Sequence, residues 1–208
     1  QLAEKKGFFV MKRNSVFLTL LFSVLYFLFS ANADAQTWNP LTGPYGNRAY
    51  SILEASNGNV LVGTEEYLWV SVAGVWQKAT LVGSIYNRTF PAGSFKPIVK
   101  LNNNDLIYAD HTIQNGKLWR STDNGVTWNQ FTATGLSTRP TNCFTLDTSG
   151  NILAGIRHTV SEPAGGVYRS TDNGSNWGLI GLSGVSIRSI TVRNDGYIFT
   201  ATANGMYR

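Results

Sequence analysis

Ser121-Thr122-Asp123-Asn124-Gly125-Val126-Thr127-Trp128 returns as Ser170-Thr171-Asp172-Asn173-Gly174-Ser175-Asn176-Trp177, with six of eight letters unchanged. Each copy follows an aromatic-Arg pair, Trp119-Arg120 and Tyr168-Arg169. A turn repeated this closely restricts the chain to folds made of stacked equivalent units. A second repeat runs through the same region. Asn57-Gly58-Asn59-Val60, Asn103-Asn104-Asp105-Leu106, Ser149-Gly150-Asn151-Ile152 and Asp195-Gly196-Tyr197-Ile198 align, and Gly58, Asn104, Gly150 and Gly196 fall 46 residues apart each time. In that frame Ile52, Ile98, Phe144 and Ile190 are equivalent, and Gly63, Ala109, Gly155 and Ala201 form a column of small residues.

A period near 46 matches blades of four strands each, so the chain is expected to be all-β, a β-propeller of four-stranded antiparallel blades. Each unit reads as strand A, a Gly/Asn/Asp turn, strand B, a loop, strand C with its aromatic-Arg pair, a turn and strand D. The blades are expected at about 45–82, 83–133, 134–182 and 183–208, giving three blades and part of a fourth, with the remaining blades expected downstream. The small column suits close packing between blades. No useful length shows helical periodicity.

Met11-Lys12-Arg13, an apolar run from Val16 to Phe29 and Ala33-Asp34-Ala35 fit a signal peptide over residues 11–35, leaving residues 36–208 as the mature propeller. Residues 1–10 precede a natural start at Met11 and read as a non-native extension. The apolar run is too short for a spanning helix, so no membrane span is expected beyond the leader. The expected location is secreted, periplasmic or cell-surface, in a bacterium. Residues 36–208 hold 13 Lys and Arg against 10 Asp and Glu, a net +3. The basic residues are scattered, which argues against nucleic acid as a partner. The single cysteine, Cys143, excludes an intrachain disulfide, and no metal-ligand spacing, phosphate loop or Ser-His-Asp arrangement appears. No cofactor and no metal are expected.

In the repeated turn, an Asp side chain is short enough to accept hydrogen bonds from nearby backbone N–H groups, and Ser adds another local bond. Gly supplies a positive φ, and Trp buries a large apolar face. The structural set is Ser121, Asp123, Gly125 and Trp128, with Ser170, Asp172, Gly174 and Trp177. The first unit, Val70-Ser71-Val72-Ala73-Gly74-Val75-Trp76, has no Asp and is two residues shorter, so a looser turn is expected there.

On these residues the chain resembles the Asp-box, or BNR-repeat, β-propeller proteins: sialidases, xyloglucan-active glycoside hydrolases, sortilin-like receptors and many secreted bacterial proteins. The resemblance covers nearly all of residues 45–208. It implies that the box lies at the rim, away from any ligand, and that Asp123 and Asp172 are structural. The sialidase Phe/Tyr-Arg-Ile-Pro motif is not matched by Phe95-Lys96-Pro97-Ile98, and the sialidase nucleophile and acid/base residues have no counterpart here.

The expected ligand site is the axial face, where the D–A and B–C connections meet. Arg48, Lys96, Arg139 and Arg188 stand at or near the start of each strand A, with Lys96 and Arg188 in one column. The B–C loops carry Glu65-Glu66, Asp110-His111, and Arg157-His158 with Glu162. A cationic mouth suits a carboxylate ligand, because Arg pairs with carboxylate in a bidentate way; strand-end cations also simply solvate a rim. No residue is assigned a catalytic role, and Asp110-His111 is expected to be an exposed loop pair. The leading reading is a binding or interaction scaffold for glycans or protein partners. The alternatives are a sialidase-like or other glycoside hydrolase and the sensor propeller of a larger signalling protein.

Overall fold

Alternation of side chains along each strand dictates the stacking. In the computed structural model, which describes residues 43–44, 48–83, 97–110, 117–136, 140–158 and 165–208, the 46-residue unit forms a small twisted sheet. The first sheet runs β1 (Ala49–Glu54), β2 (Val60–Thr64), β3 (Leu68–Val72) and β4 (Val75–Lys78) in sequence order. The chain then forms β5 (Thr80–Val82). The second sheet contains β6 (Ile98–Lys100), β7 (Leu106–Asp110), β8 (Lys117–Ser121) and β9 (Thr127–Phe131). The third contains β10 (Thr141–Leu146), β11 (Ile152–Ile156), β12 (Gly166–Ser170) and β13 (Gly178–Gly181), and the fourth β14 (Ile187–Val192), β15 (Ile198–Thr202) and β16 (Gly205–Tyr207). These are four blades of a β-propeller, the fourth with three strands, and there is no helix among the described residues. Successive inner strands touch: β1 against β6, β6 against β10, β10 against β14.

The unit departs from the expected pattern at β5. This segment leaves blade 1 and adds to blade 2 as a fifth strand, parallel to β9, with Leu81 beside Trp128. Blade 2 repeats the move in shortened form, with Thr134 bridging in parallel to Asn176 of blade 3. The reason is local: the outer strand of a blade exposes unpaired backbone groups, and the exit of the preceding blade supplies partners for them.

Middle strands are apolar on both faces because both are covered. Leu106 and Tyr108 of β7 join Leu61, Leu68 and Val70 of blade 1, while Ile107 and Ala109 join Ile152, Ala154 and Trp177 of blade 3. Leu153 faces the other way, with Val167, toward Ile187 and Ile190 of blade 4. The small column acts at Gly155, where a Cβ would sit 2.5 Å from Cys143 Sγ and 2.7 Å from Ile187 Cγ2, so glycine here admits the inner strand of the next blade.

The four A–B turns are alike. In each, the first residue receives the N–H of the residue three positions on and donates its own N–H to the carbonyl four positions on, as in Asp147 with Gly150 and Asn151 at 2.9 and 2.8 Å. The equivalent residues Gly58, Asn104, Gly150 and Gly196 all have positive φ.

Candidate functional site: two ends of each blade

Register separates the two ends of a blade. In blade 2, Leu106 pairs with Ser121 and Asp110 pairs with Lys117. The repeated turn that follows Ser121 therefore lies at the same end as the A–B turn, and the B–C loop lies at the other.

The repeated turn is closed by its own side chains. Ser121 Oγ donates to Asp123 Oδ1 at 2.8 Å and accepts the Gly125 N–H at 2.9 Å. Asp123 accepts the Thr127 N–H at 2.9 and 3.1 Å. Trp128 Nε1 donates to the Gly125 carbonyl at 2.8 Å. Ser170, Asp172, Gly174, Asn176 and Trp177 make the matching bonds at 2.8 Å. Partial burial raises the Asp123 pKa, but the Thr127 N–H and Ser121 hydroxyl outweigh it and hold the carboxyl below its ordinary value. The Asn176 N–H and side chain hold Asp172 down at about 2. Both carboxylates are committed to closing their turns. Each turn also reaches the preceding blade. Asn59 donates to the Asn124 carbonyl at 3.3 Å, and Arg120 donates to the Asn173 carbonyl. The Arg of the aromatic-Arg pair thus holds the turn of the following blade. In the first unit the structure shows a two-residue hairpin between Val72 and Val75, with φ of 49° and 81° at Ala73 and Gly74. Backbone twist sets this two-residue turn, in place of the Asp-centred bonds of the other two units.

At the opposite end the strand A starts and strand B ends are tied together. Glu65 N–H bonds the Arg48 carbonyl at 2.9 Å, Ala109 N–H the Pro97 carbonyl at 3.1 Å and Arg157 N–H the Pro140 carbonyl at 2.9 Å. Arg48, Arg157, His158 and Arg188 are exposed here, and Glu65 and Glu66 are half-buried. Asp110 was read as an exposed loop residue; it is buried, 4% exposed, because it closes β7 in register with Lys117. Lys96, Arg139, His111 and Glu162 lie outside the described residues, as do residues 1–35.

Two residues at this end escaped the sequence reading. Asn142 occupies the column of Lys96 and Arg188, is 5% exposed, and donates from Nδ2 to the Ile187 carbonyl at 2.6 Å. In blade 3 that column therefore ties two inner strands together. The 46-residue frame places it in that column, but its uncharged amide sets it apart from the lysine and arginine there. Tyr67 lies in the first B–C loop with its ring under Lys78 Nζ, 3.6 Å from the centroid, and edge-on to Trp69. Cys143 is half-buried; burial pushes its thiol up to about 11, which leaves it a poor nucleophile. Among the described residues no cluster of His, Cys, Asp and Glu could hold a metal.

No family model matches the chain, and no curated protein matches it. Solved structures with the same fold do. The extracellular domain of BT4673 from B. thetaiotaomicron is similar over 77% of this chain and 21% of its own length, with a TM-score of 0.57 and 18% identity. Virginiamycin B lyase from Staphylococcus aureus is similar over 85% of this chain and 60% of its own length, at 0.57 and 16%. YCF48 bound to D1 peptide is similar over 81% and 52%, at 0.50 and 13%. The chain spans about a fifth to three-fifths of these neighbours. At such identities the likeness shows the β-propeller fold.

Proposed function

We propose that the chain is an exported binding scaffold of the Asp-box class, taking an acidic glycan on the end where the strand A starts and the B–C loops meet. The observation that carries this reading is that Arg48 on blade 1, Arg157 and His158 on blade 3 and Arg188 on blade 4 are all exposed at this one end, with Arg48 and Arg157 held by backbone bonds within their own blades. A guanidinium on a rigid strand start has little freedom left to lose on pairing with a carboxylate. The leader-like residues 11–35 support export. The Ser-x-Asp-x-Gly-x-x-Trp turns support the class, because their bonds are internal and leave the other end free to vary.

An array of sialylated and uronate-bearing glycans, followed by calorimetry, tests the reading. Binding to an acidic glycan is expected, with at least a tenfold loss in Arg188→Ala. Absence of binding to every acidic glycan would remove the proposal. Turnover of a fluorogenic sialoside would replace it with a glycoside hydrolase.

A further inference from the structure

An asparagine followed by glycine is open to attack by the chain on its own side chain, because glycine puts no Cβ in front of the attacking nitrogen. The sequence has five such pairs, at Asn57, Asn115, Asn124, Asn173 and Asn204. Asn115 lies outside the described residues, and Gly205 after Asn204 is paired with Thr202 in the ladder of blade 4. The other three differ in their cover. Gly125 and Gly174 give their N–H groups to Ser121 Oγ and Ser170 Oγ at 2.9 and 2.8 Å, inside turns whose serines are buried. A Cβ on either glycine would collide, with Leu61 at 2.2 Å or Ile107 at 2.8 Å, and the Asn124 and Asn173 carbonyls are held by Asn59 and Arg120 of the preceding blades. Asn57-Gly58 has none of this cover. Both residues are exposed, nothing lies within 4 Å of a Cβ on Gly58, and the Gly58 N–H makes a longer bond, 3.1 Å, to the Ala55 carbonyl. The Asn59 N–H donates to Asn57 Oδ1 at 3.0 Å, where it draws electron density from Cγ and is placed to stabilise an oxyanion.

We propose that Asn57 is a site of spontaneous deamidation, and that its isoaspartate product loosens the join between blades 1 and 2. The Gly58 nitrogen, its proton taken by hydroxide, attacks Asn57 Cγ. The new N–Cγ bond closes a succinimide ring as the Cγ–Nδ2 bond breaks, and Nδ2 leaves as ammonia with a proton from water. Water then opens the ring. Cleavage between Cγ and the Gly58 nitrogen gives aspartate. Cleavage between the Asn57 main-chain carbonyl carbon and that nitrogen gives isoaspartate, whose main chain runs through Cβ and Cγ. Nothing is oxidised or reduced. The aspartate product suits the fold, since Asp195 fills the same position in blade 4 and takes the Tyr197 N–H. The isoaspartate product adds a main-chain atom to a turn whose ends, the Ala55 N–H and the Asn59 carbonyl, meet at 2.8 Å. Asn59 then shifts, and its Nδ2 bond to the Asn124 carbonyl is lost. Blade 2 supplies the comparison. Asn103 stands where Asn57 does and accepts the Asp105 N–H at 3.1 Å, but Asn104 follows it in place of a glycine. The proposal is independent of the glycan reading.

The test holds the full chain at mildly alkaline pH and follows each asparagine by peptide mapping, with isoaspartate read by enzymatic methylation. Asn57 is expected to convert at least tenfold faster than Asn103, Asn124 and Asn173. In urea the three Asn-Gly sites should converge, because only the fold separates them. Gly58→Asn copies the turn of blade 2, where Asn104 has a φ of 69°, so it keeps the fold; it should slow loss at Asn57 at least tenfold. In the isoaspartate fraction, amide exchange in the turn of residues 121–127 should rise at least tenfold, while that of residues 170–176 is unchanged. Equal rates at Asn57, Asn124 and Asn173 in the folded protein, a gap among them that persists in urea, or indifference to Gly58→Asn would overturn the assignment of the site. Unmoved exchange in residues 121–127 would overturn its link to the join.

Discussion

Gly125 carries two constraints at once, and a pair of substitutions separates them. Its φ is 88°, and a Cβ there would sit 2.2 Å from Leu61 Cδ2 and 2.9 Å from Leu61 Cγ. Gly125→Ala therefore meets backbone strain of about 1 kcal/mol and a collision with a fully buried side chain of the preceding blade, costing about 1–3 kcal/mol. A destabilisation of about 2–4 kcal/mol is expected. Leu61→Ala alone opens a cavity at a 0% exposed site, costing about 2–5 kcal/mol. In the double variant the added methyl enters the space that Leu61 vacates, so the two costs should fall short of additive by about 1–2 kcal/mol. Urea unfolding of the four proteins, followed by tryptophan fluorescence, gives the cycle. Gly174→Ala is the internal comparison: its φ is 90°, but its Cβ would meet Ile107 Cδ1 at 2.8 Å, the end of a flexible chain, so it should cost less than Gly125→Ala. Additivity within about 0.5 kcal/mol, or equal costs at the two glycines, would refute the argument that the turn is seated on its neighbour by volume.

Asp123, Asp147 and Asp172 all have depressed pKa values, so the folded protein binds fewer protons than the unfolded chain in acid. Their contribution is complete above the unfolded carboxylate range and is lost as pH falls from about 4 toward about 2. The urea midpoint should drop over that window, and less steeply in Asp172→Asn; parallel curves would count against the Asn176 bonds as the cause. Asn142→Ala removes the 2.6 Å bond to the Ile187 carbonyl and leaves that carbonyl short of its donor. It should cost about 1–3 kcal/mol and raise amide exchange in β14 and β15 ahead of β7 and β8; uniform exchange would show that Asn142 does not join blades 3 and 4.

What could be read from the sequence was local. The A–B turns and the Ser-x-Asp-x-Gly-x-x-Trp turns announce themselves because their bonds run between residues two to four apart, so the residue types must recur together. The middle strands followed, since Leu106 to Ala109 are apolar without interruption, the mark of a strand covered on both faces. The parallel addition of Thr80-Leu81-Val82 could not be read this way. Its partner is a neighbour's edge almost fifty residues on, and nothing in three residues declares which sheet they join. Asp110 misled for a related reason: its burial comes from its place at the end of a middle strand. At the candidate ligand end, the cationic strand starts were legible as charge, but Asn142, an uncharged member of the same column, shows that position alone does not make a residue a ligand contact.

The crossing strand β5 has a consequence for the order of assembly. Blade 1 hands a strand to blade 2, and blade 2 hands a shorter bridge to blade 3, so the outer edges of these two blades meet a segment made earlier. A chain emerging N-terminus first brings blades 2 and 3 each to a neighbour that already holds the segment that pairs with its edge. Exposed β-edges are the points at which a partly made repeat protein sticks to its copies. For blades 2 and 3 that vulnerable interval is cut to the time needed to synthesise one blade.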